Sequence, residues 1–271
     1  MRSVIHISDL HFGRTNPAIL QPLLEFMRSA QPSLVAVSGD LTQRARTVEY
    51  IAARDFLDAI PFPKIVVPGN HDVPLRNPFN RFVKGLASYR RYITDDLQPF
   101  YADEEIAVAG VNTARALSWT WKDGRINRYQ LADLRAAFKP IPNERIKIVV
   151  THHPFDLPEG TAGRVVGRSR LAIQTLAECG VDMLLAGHFH IAHIGQTTAR
   201  YDIPGFSALI VASGTSTSTR GRGQPNSLNL IRIERPEVTI ERHTWHPENN
   251  HFEIFSVEEF HWTNDDGWTR C

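Results

Sequence analysis

Cysteine is almost missing from this chain of 271 residues: there are two, Cys179 and Cys271, far apart. Such a pair makes neither a disulfide framework nor a thiolate metal site, and it points to a reducing compartment. An excess of one charge is missing as well. The 30 lysines and arginines are balanced by 29 aspartates and glutamates, a formal net charge of +1. The global basic surplus of a nucleic-acid-binding protein is therefore absent. Nowhere do eighteen apolar residues run together, and the opening Met1-Arg2-Ser3-Val4-Ile5-His6 is too polar for the apolar core of a signal peptide. There is no internal repeat, low-complexity tract or linker. The expectation is a cytoplasmic protein without a transmembrane segment, whose partner is a small molecule rather than nucleic acid.

What the chain does have is a series of short, β-branched apolar runs alternating with amphipathic segments. Val4–Ser8, Leu34–Val37 and Ile65–Val67 read as buried strands. Between them Pro17–Ala30, with Asn16 as its N-cap, and Val48–Ala59 read as helices. Further on, Phe82–Tyr92 reads as a helix, Ile106–Val111 as a strand, and the stretch from Trp119 to Arg128 as a loop. Gln130–Phe138 and Leu171–Glu178 are predicted helices, the second closed by Gly180. Ile146–Val150 and Met183–Ala186 are predicted strands. Leu209–Ser213, Leu228–Glu234, Val238–Thr244 and Phe252–Phe260 follow with no helix between them, which predicts antiparallel sheet in the last third. The fold class is α/β, with both sheet faces covered.

Polar residues gather where these apolar runs stop. Asp9-Leu10-His11, Gly39-Asp40, Gly69-Asn70-His71-Asp72, His152-His153 and Gly187-His188-Phe189-His190 each sit at the end of a strand. A lone aspartate or asparagine there is ordinarily a turn residue; five clusters at five strand ends describe one site. In α/β sheets, functional groups collect at the carboxyl ends of strands. Carboxylate, imidazole and amide oxygen together form a mixed ligand set suited to iron, manganese or zinc rather than calcium. Asp9, His11, Asp40, Asn70, His152, His188 and His190 supply seven ligands, which suits two ions sharing one carboxylate.

These motifs, in this order, resemble the calcineurin-like metallophosphoesterase superfamily, whose pattern D-x-H, G-D, G-N-H-D/E, H, G-H-x-H is complete between residues 9 and 190. Within it the chain is most similar to the bacterial class III cyclic nucleotide phosphodiesterases and their glycerophosphodiesterase relatives, a likeness that extends to Gly214-Thr215 and Pro225-Asn226-Ser227. The resemblance implies a four-layer sandwich of two mixed β-sheets flanked by helices. It implies that Asp9, His11 and His190 bind one metal ion, that Asn70, His152 and His188 bind the other, and that Asp40 bridges them. It places His71 near the scissile phosphate without making it a ligand. Two such ions, divalent or trivalent, activate a shared water and neutralise phosphoryl charge. His71 is then the candidate general acid, with Asp72 as the candidate that fixes its tautomer.

The implied reaction is hydrolysis of a small phosphodiester such as a 3′,5′-cyclic nucleotide, with a glycerophosphodiester or a lipid-linked diphosphate as the alternative. A protein Ser/Thr phosphatase is disfavoured, because Gly39-Asp40 is followed by Leu41-Thr42-Gln43-Arg44 and not by the Asp-Arg-Gly of that branch. A non-catalytic interaction scaffold on the same fold would have to retain the complete ligand set to no purpose. Residues 76–130 and 205–271 are candidates for a cap or for a homodimer interface within a single domain spanning 1–271. His6 reads as a packed histidine and His153 as a structural or pocket-rim residue. Among the remaining histidines, His193 lies nearest the site in sequence. The Arg220-Gly221-Arg222-Gly223 run either holds a phosphate or is a solvated loop, the second reading being favoured, and Trp119 and Trp121 either stack on a base or pack their loop down.

Overall fold

Alternate residues of each central strand face different layers, and this alternation organises the molecule. The structure, a computed structural model, describes residues 1–74, 85–115, 123–158, 160–221 and 223–271. In β1 (Arg2–Ile7) and β2 (Leu34–Val37), Ile5, Ile7, Val35 and Val37 point to the helices, whereas Val4, Leu34 and Ala36 point to a second sheet. With β3 (Lys64–Val66), these strands run parallel. Their crossovers are α1 (Pro17–Ala30) and α2 (Thr47–Asp58). Asn16 caps α1 by accepting from the Ala18 amide, as its sequence position predicts.

The second sheet is built around β5 (Ile106–Gly110), β6 (Ile146–Val150), β7 (Met183–Ala186) and β9 (Leu209–Ala212), all parallel. Antiparallel β4 (Phe100–Ala102) and β8 (His193–Gln196) form its edges. On its outer face lie α4 (Arg128–Phe138) and α5 (Ser169–Glu178), while α3 (Ala87–Tyr92) packs beside the first sheet through Tyr89. The first sheet is extended by the antiparallel run β10 (Ser227–Glu234), β11 (Glu237–His246), β12 (His251–Thr263) and β13 (Gly267–Arg270). Among the described residues the sheet orders are β13-β12-β11-β10-β1-β2-β3 and β4-β5-β6-β7-β9-β8. The layers run helix, sheet, sheet, helix, with Val4, Val108, Ile148, Leu185, Ile231 and Ile240 among the residues filling the space between the sheets.

Among the described residues, 85–115 supply α3, β4 and β5, and 205–271 supply β9 through β13. The helix expected over Phe82–Tyr92 is described only as Ala87–Tyr92, and its beginning lies outside the described residues, as do Trp119, Trp121 and Arg222. Three short strands, β4, β8 and β13, had no sequence signal. At three or four residues they are too brief for a period to register, and they exist because longer neighbours supply their hydrogen bonds. No helix among the described residues is long and apolar enough to cross a membrane.

Candidate metal centre

The parallel strands of both sheets end on the same side of the molecule, and all seven candidate ligands fall in the turns that follow them. Asp9 and His11 follow β1, Asp40 follows β2, Asn70 follows β3, His152 follows β6, and His188 and His190 follow β7. Six are buried and His188 is half-buried. Five occupy the left-handed backbone region: Asp9 at φ 53°, His11 at 49°, Asp40 at 52°, His188 at 79° and His190 at 58°. Each such residue costs on the order of 1 kcal/mol or more, and such strain persists only where the surroundings over-determine it.

The surroundings do so through hydrogen bonds from distant segments. Asp9 donates its amide to Gly39 O (3.0 Å) and His11 to Asp40 O (2.9 Å), tying the first two turns together. A hydroxyl-rich stretch after β9 then grips the first turn: Thr215 Oγ1 donates to Asp9 O (2.7 Å), Thr217 Oγ1 to Leu10 O (2.8 Å), and the Ser216 amide to Ser8 O (2.9 Å). Close approach does the rest at two glycines. A Cβ on Gly187 would lie 1.8 Å from Ser8 Oγ, and one on Gly69 would lie 2.1 Å from Asp40 Oδ1. Gly69→Ala is therefore expected to push Asp40 out of place, destabilise the protein by about 1–3 kcal/mol, and leave it short of metal. Thermal unfolding and elemental analysis check both.

The side chains converge to metal-ligand spacing in two groups. In the first, Asp9, His11, Asp40 and His190 offer atoms that all lie within 4.8 Å of one another. Here His11 Nε2 is 3.0 Å from His190 Nε2, 3.6 Å from Asp9 Oδ1 and 3.7 Å from Asp40 Oδ2, and His190 Nε2 is 3.1 Å from Asp9 Oδ1. In the second, His152 Nε2 lies 3.2 Å from Asn70 Oδ1, 3.4 Å from Asp40 Oδ1 and 3.3 Å from His188 Nδ1. Asp40 touches both groups, one oxygen to each.

A shared cation accounts for this geometry. His152 Nδ1 donates to Ser38 O (2.8 Å) and His190 Nδ1 to Arg220 O (3.1 Å). In the neutral ring each therefore aims a bare Nε2 lone pair at other acceptors. Asp9 Oδ1 is buried without a hydrogen-bond partner. Donor atoms sharing one ion at about 2.0–2.2 Å are separated from one another by about 3–3.5 Å, which matches these spacings. The donor set thus fits two metal ions around Asp40.

Electrostatics sets the protonation of these groups. Burial alone would raise the Asp9 and Asp40 carboxyls, but the neighbouring histidines pull both well below the usual carboxylate range. Burial would lower His152, yet Asp40 beside it raises the ring to about 9. At neutral pH a proton therefore stands in for a cation, and metal entry must expel it. Loading of manganese at pH 7.5 is expected to release about one proton per chain and to weaken as pH falls. Calorimetry in buffers of different ionisation enthalpy measures both.

His71 lies at the edge of the centre, its ring 4.9 Å from that of His11. Its Nδ1 donates to Gln43 O (2.8 Å) and its Nε2 accepts from Arg220 Nη1 (3.2 Å). The tautomer is thus fixed by a main-chain carbonyl and not by Asp72. The Asp72 carboxylate turns the other way and accepts from the amides of Leu41 (3.1 Å), Thr42 (2.8 Å) and Gly69 (2.9 Å), locking the second and third turns together. Burial and the Asp40 charge raise it to about 7, partly offset by those amides. Arg220 is a further departure: the expected solvated loop instead brings its carbonyl behind His190 and its guanidinium onto His71. His6 is packed as expected, Nε2 against Ser38 Oγ (2.9 Å), and burial holds it at about 3 and neutral. His153 hydrogen-bonds Thr113 Oγ1 (2.7 Å) behind His188, and His193 sits by Asp156 (3.9 Å).

The family model for calcineurin-like phosphoesterases matches residues 2–192. The chain belongs to that family. Among curated proteins it is 35% identical over 79 residues to the glycerophosphodiester phosphodiesterase GpdQ of Enterobacter lignolyticus, covering 25% of this chain and 28% of that one. It is 29% identical over 114 residues to a probable cyclic nucleotide phosphodiesterase of Synechococcus, covering 36% and 45%. These matches span less than half the length of either relative. Among solved structures, a dimetal phosphatase from Danio rerio superposes with a TM-score of 0.63 at 12% identity, covering 94% of this chain and 98% of that one. A purple acid phosphatase from yellow lupin does so with 0.69 at 11%, covering 95% and 53%. Both likenesses establish the fold.

Proposed function

We propose that the protein is a dinuclear-metal phosphodiesterase acting on a small phosphodiester, the class that includes 3′,5′-cyclic nucleotides and glycerophosphodiesters. The observation that carries this reading is Asp40, whose two oxygens face Nε2 of His11 and of His152 and so join two ligand groups into one centre. Asp9, His11 and His190 on one side and Asn70, His152 and His188 on the other would hold two ions of iron, manganese or zinc, which would supply an activated water and neutralise phosphoryl charge. Both curated relatives are named as diesterases, which favours a diester over a monoester.

The chain's own contribution to catalysis is at His71 and Arg220. With Nδ1 committed to Gln43 O, only Nε2 of His71 faces the centre. Burial first, with the charges of His11 and Arg220, lowers the pKa of this ring and favours its neutral form, against the pull of Asp40 and the Gln43 carbonyl. An anionic diester draws the Arg220 guanidinium onto itself and favours protonation of Nε2, which then delivers its proton to the leaving oxygen. A panel of phosphomonoesters, cyclic nucleotides, glycerophosphodiesters and nucleoside diphosphate lipids, assayed on manganese-reconstituted protein, tests the reading. Turnover of diesters supports it, and turnover of monoesters alone overturns it.

A further inference from the structure

Beside the metal centre, on the same side of the sandwich, lies an open cavity of about 420 Å³ whose lining includes Arg115, Arg125, Arg164 and Arg168. Its described walls are Arg115 and residues 123–125 on one side and residues 164–168 on the other, bound edge to edge. Gly167 donates its amide to Gly124 O (2.8 Å), Ile126 donates to Gly167 O (3.2 Å), and Arg125 donates to Thr113 O (3.0 Å). The walls are therefore fixed by main-chain bonds before any ligand arrives.

The cavity is joined to the centre through one side chain. A Cβ on Gly124 would fall 2.2 Å from Cγ of His153, so this wall rests directly on that ring. The His153 ring in turn lies 4.6 Å from that of His188, a candidate ligand. The chain entering the second wall touches the same turn from another side, because a Cβ on Gly163 would meet the ring of Phe189.

Its charge is one-sided. Among the described lining residues Asp123 is the single carboxylate, and it lies 3.6 Å from Arg164. Among the described residues Arg125, Arg128 and Arg168 form no ion pair. Arg168 registers the crowding: desolvation first, then the charges of Arg125, Arg128 and Arg115, depress its guanidinium. A fold that holds arginines together at a preformed cavity, with one carboxylate among them, is complementary to a compact multivalent anion, and arginine forks match phosphate oxygens in pairs.

We propose that this arginine-lined cavity is a subsite for a second phosphate group, so that the preferred substrate is a phosphodiester carrying another phosphate close to the scissile one. The inference rests on the phosphodiesterase reading for the scissile end, and a binding measurement separates the two. Manganese-loaded protein is titrated with thymidine 3′,5′-bisphosphate and with thymidine 5′-monophosphate, for the wild type and for the Arg125→Gln/Arg168→Gln double variant, with circular dichroism and metal content as controls on folding. The wild type is expected to bind the bisphosphate at least about tenfold more tightly than the monophosphate, and the double variant to bind the two within about twofold. The single Arg168→Gln variant, altered at an exposed position, is expected to lose part of the difference. Equal binding by the wild type, or a preference that survives in the double variant, overturns the subsite. Wild-type protein is also assayed on thymidine 5′-(p-nitrophenyl phosphate). If it leaves this diester intact while the bisphosphate preference stands, the phosphodiesterase reading falls and the subsite remains.

Discussion

Asp40→Asn is expected to fold and to lose at least about 10³-fold in turnover of bis(p-nitrophenyl) phosphate, with metal content falling from about two ions per chain to one or fewer. The size of the effect follows from the place of this carboxylate. Oδ2 faces His11 Nε2 at 3.7 Å and Oδ1 faces His152 Nε2 at 3.4 Å. Asparagine keeps the shape, and its carbonyl keeps the bond from the His71 amide to Oδ1 (2.8 Å). What it removes is one anionic oxygen, replaced by an NH₂ group that cannot bind a cation. One ion then loses a ligand and both lose half of the shared charge. Because asparagine satisfies the same turn, the backbone is kept and Tm should fall only by what the lost ion and the lost pairing with His152 contributed, whereas Gly69→Ala strikes the backbone itself. Elemental analysis and initial rates decide the matter: a variant with two ions and undiminished turnover would leave Asp40 as a structural turn residue.

The candidate ligands stood out because coordination permits so few side chains. Aspartate, asparagine and histidine at strand ends stand out against the apolar runs before them, and the order of the clusters carries more information than any one. The residues that hold those ligands in position were not legible. Thr215 and Thr217 act on turns more than 200 positions earlier, and although Thr215 lies in a stretch the resemblance covers, nothing about a loop hydroxyl names its partner. Arg220 was misread for the same reason, its partners being His71, Gln43 and His190. Asp72 shows the opposite error, since adjacency to His71 in sequence suggested adjacency in space. In the tight turn Asn70–Asp72 successive side chains diverge, and Asp72 faces the Leu41 and Thr42 amides while His71 faces the centre. The long parallel strands were legible for physical reasons too, because burial on both faces demands unbroken β-branched runs such as Ile146–Val150.

His71→Ala is expected to separate proton transfer from metal binding. The ring makes an edge contact with His11 and its Nδ1 bonds a carbonyl, so its loss should leave both ions in place. Its effect should depend on the leaving group. An alkoxide departing from a cyclic nucleotide or a glycerophosphodiester needs a proton, and removing the donor costs about 10²–10³-fold in kcat. Nitrophenolate departs readily without one, so bis(p-nitrophenyl) phosphate should lose no more than about tenfold. The sign of the pH dependence follows from the same role. A general acid works only while protonated, so at saturating metal the kcat of wild-type protein on an alkyl diester falls as pH rises through the pKa of His71 in the complex. Burial first, with the charges of His11 and Arg220, sets that pKa low in the free protein, against the pull of Asp40 and the Gln43 carbonyl. Removing the imidazole should flatten the alkaline limb, whereas Arg220→Ala, whose guanidinium the bound diester already draws away, should raise KM and leave the limb of kcat nearly in place. If His71→Ala slows both leaving groups equally and keeps the alkaline limb, the ring is stabilising phosphoryl charge and the proton comes from elsewhere.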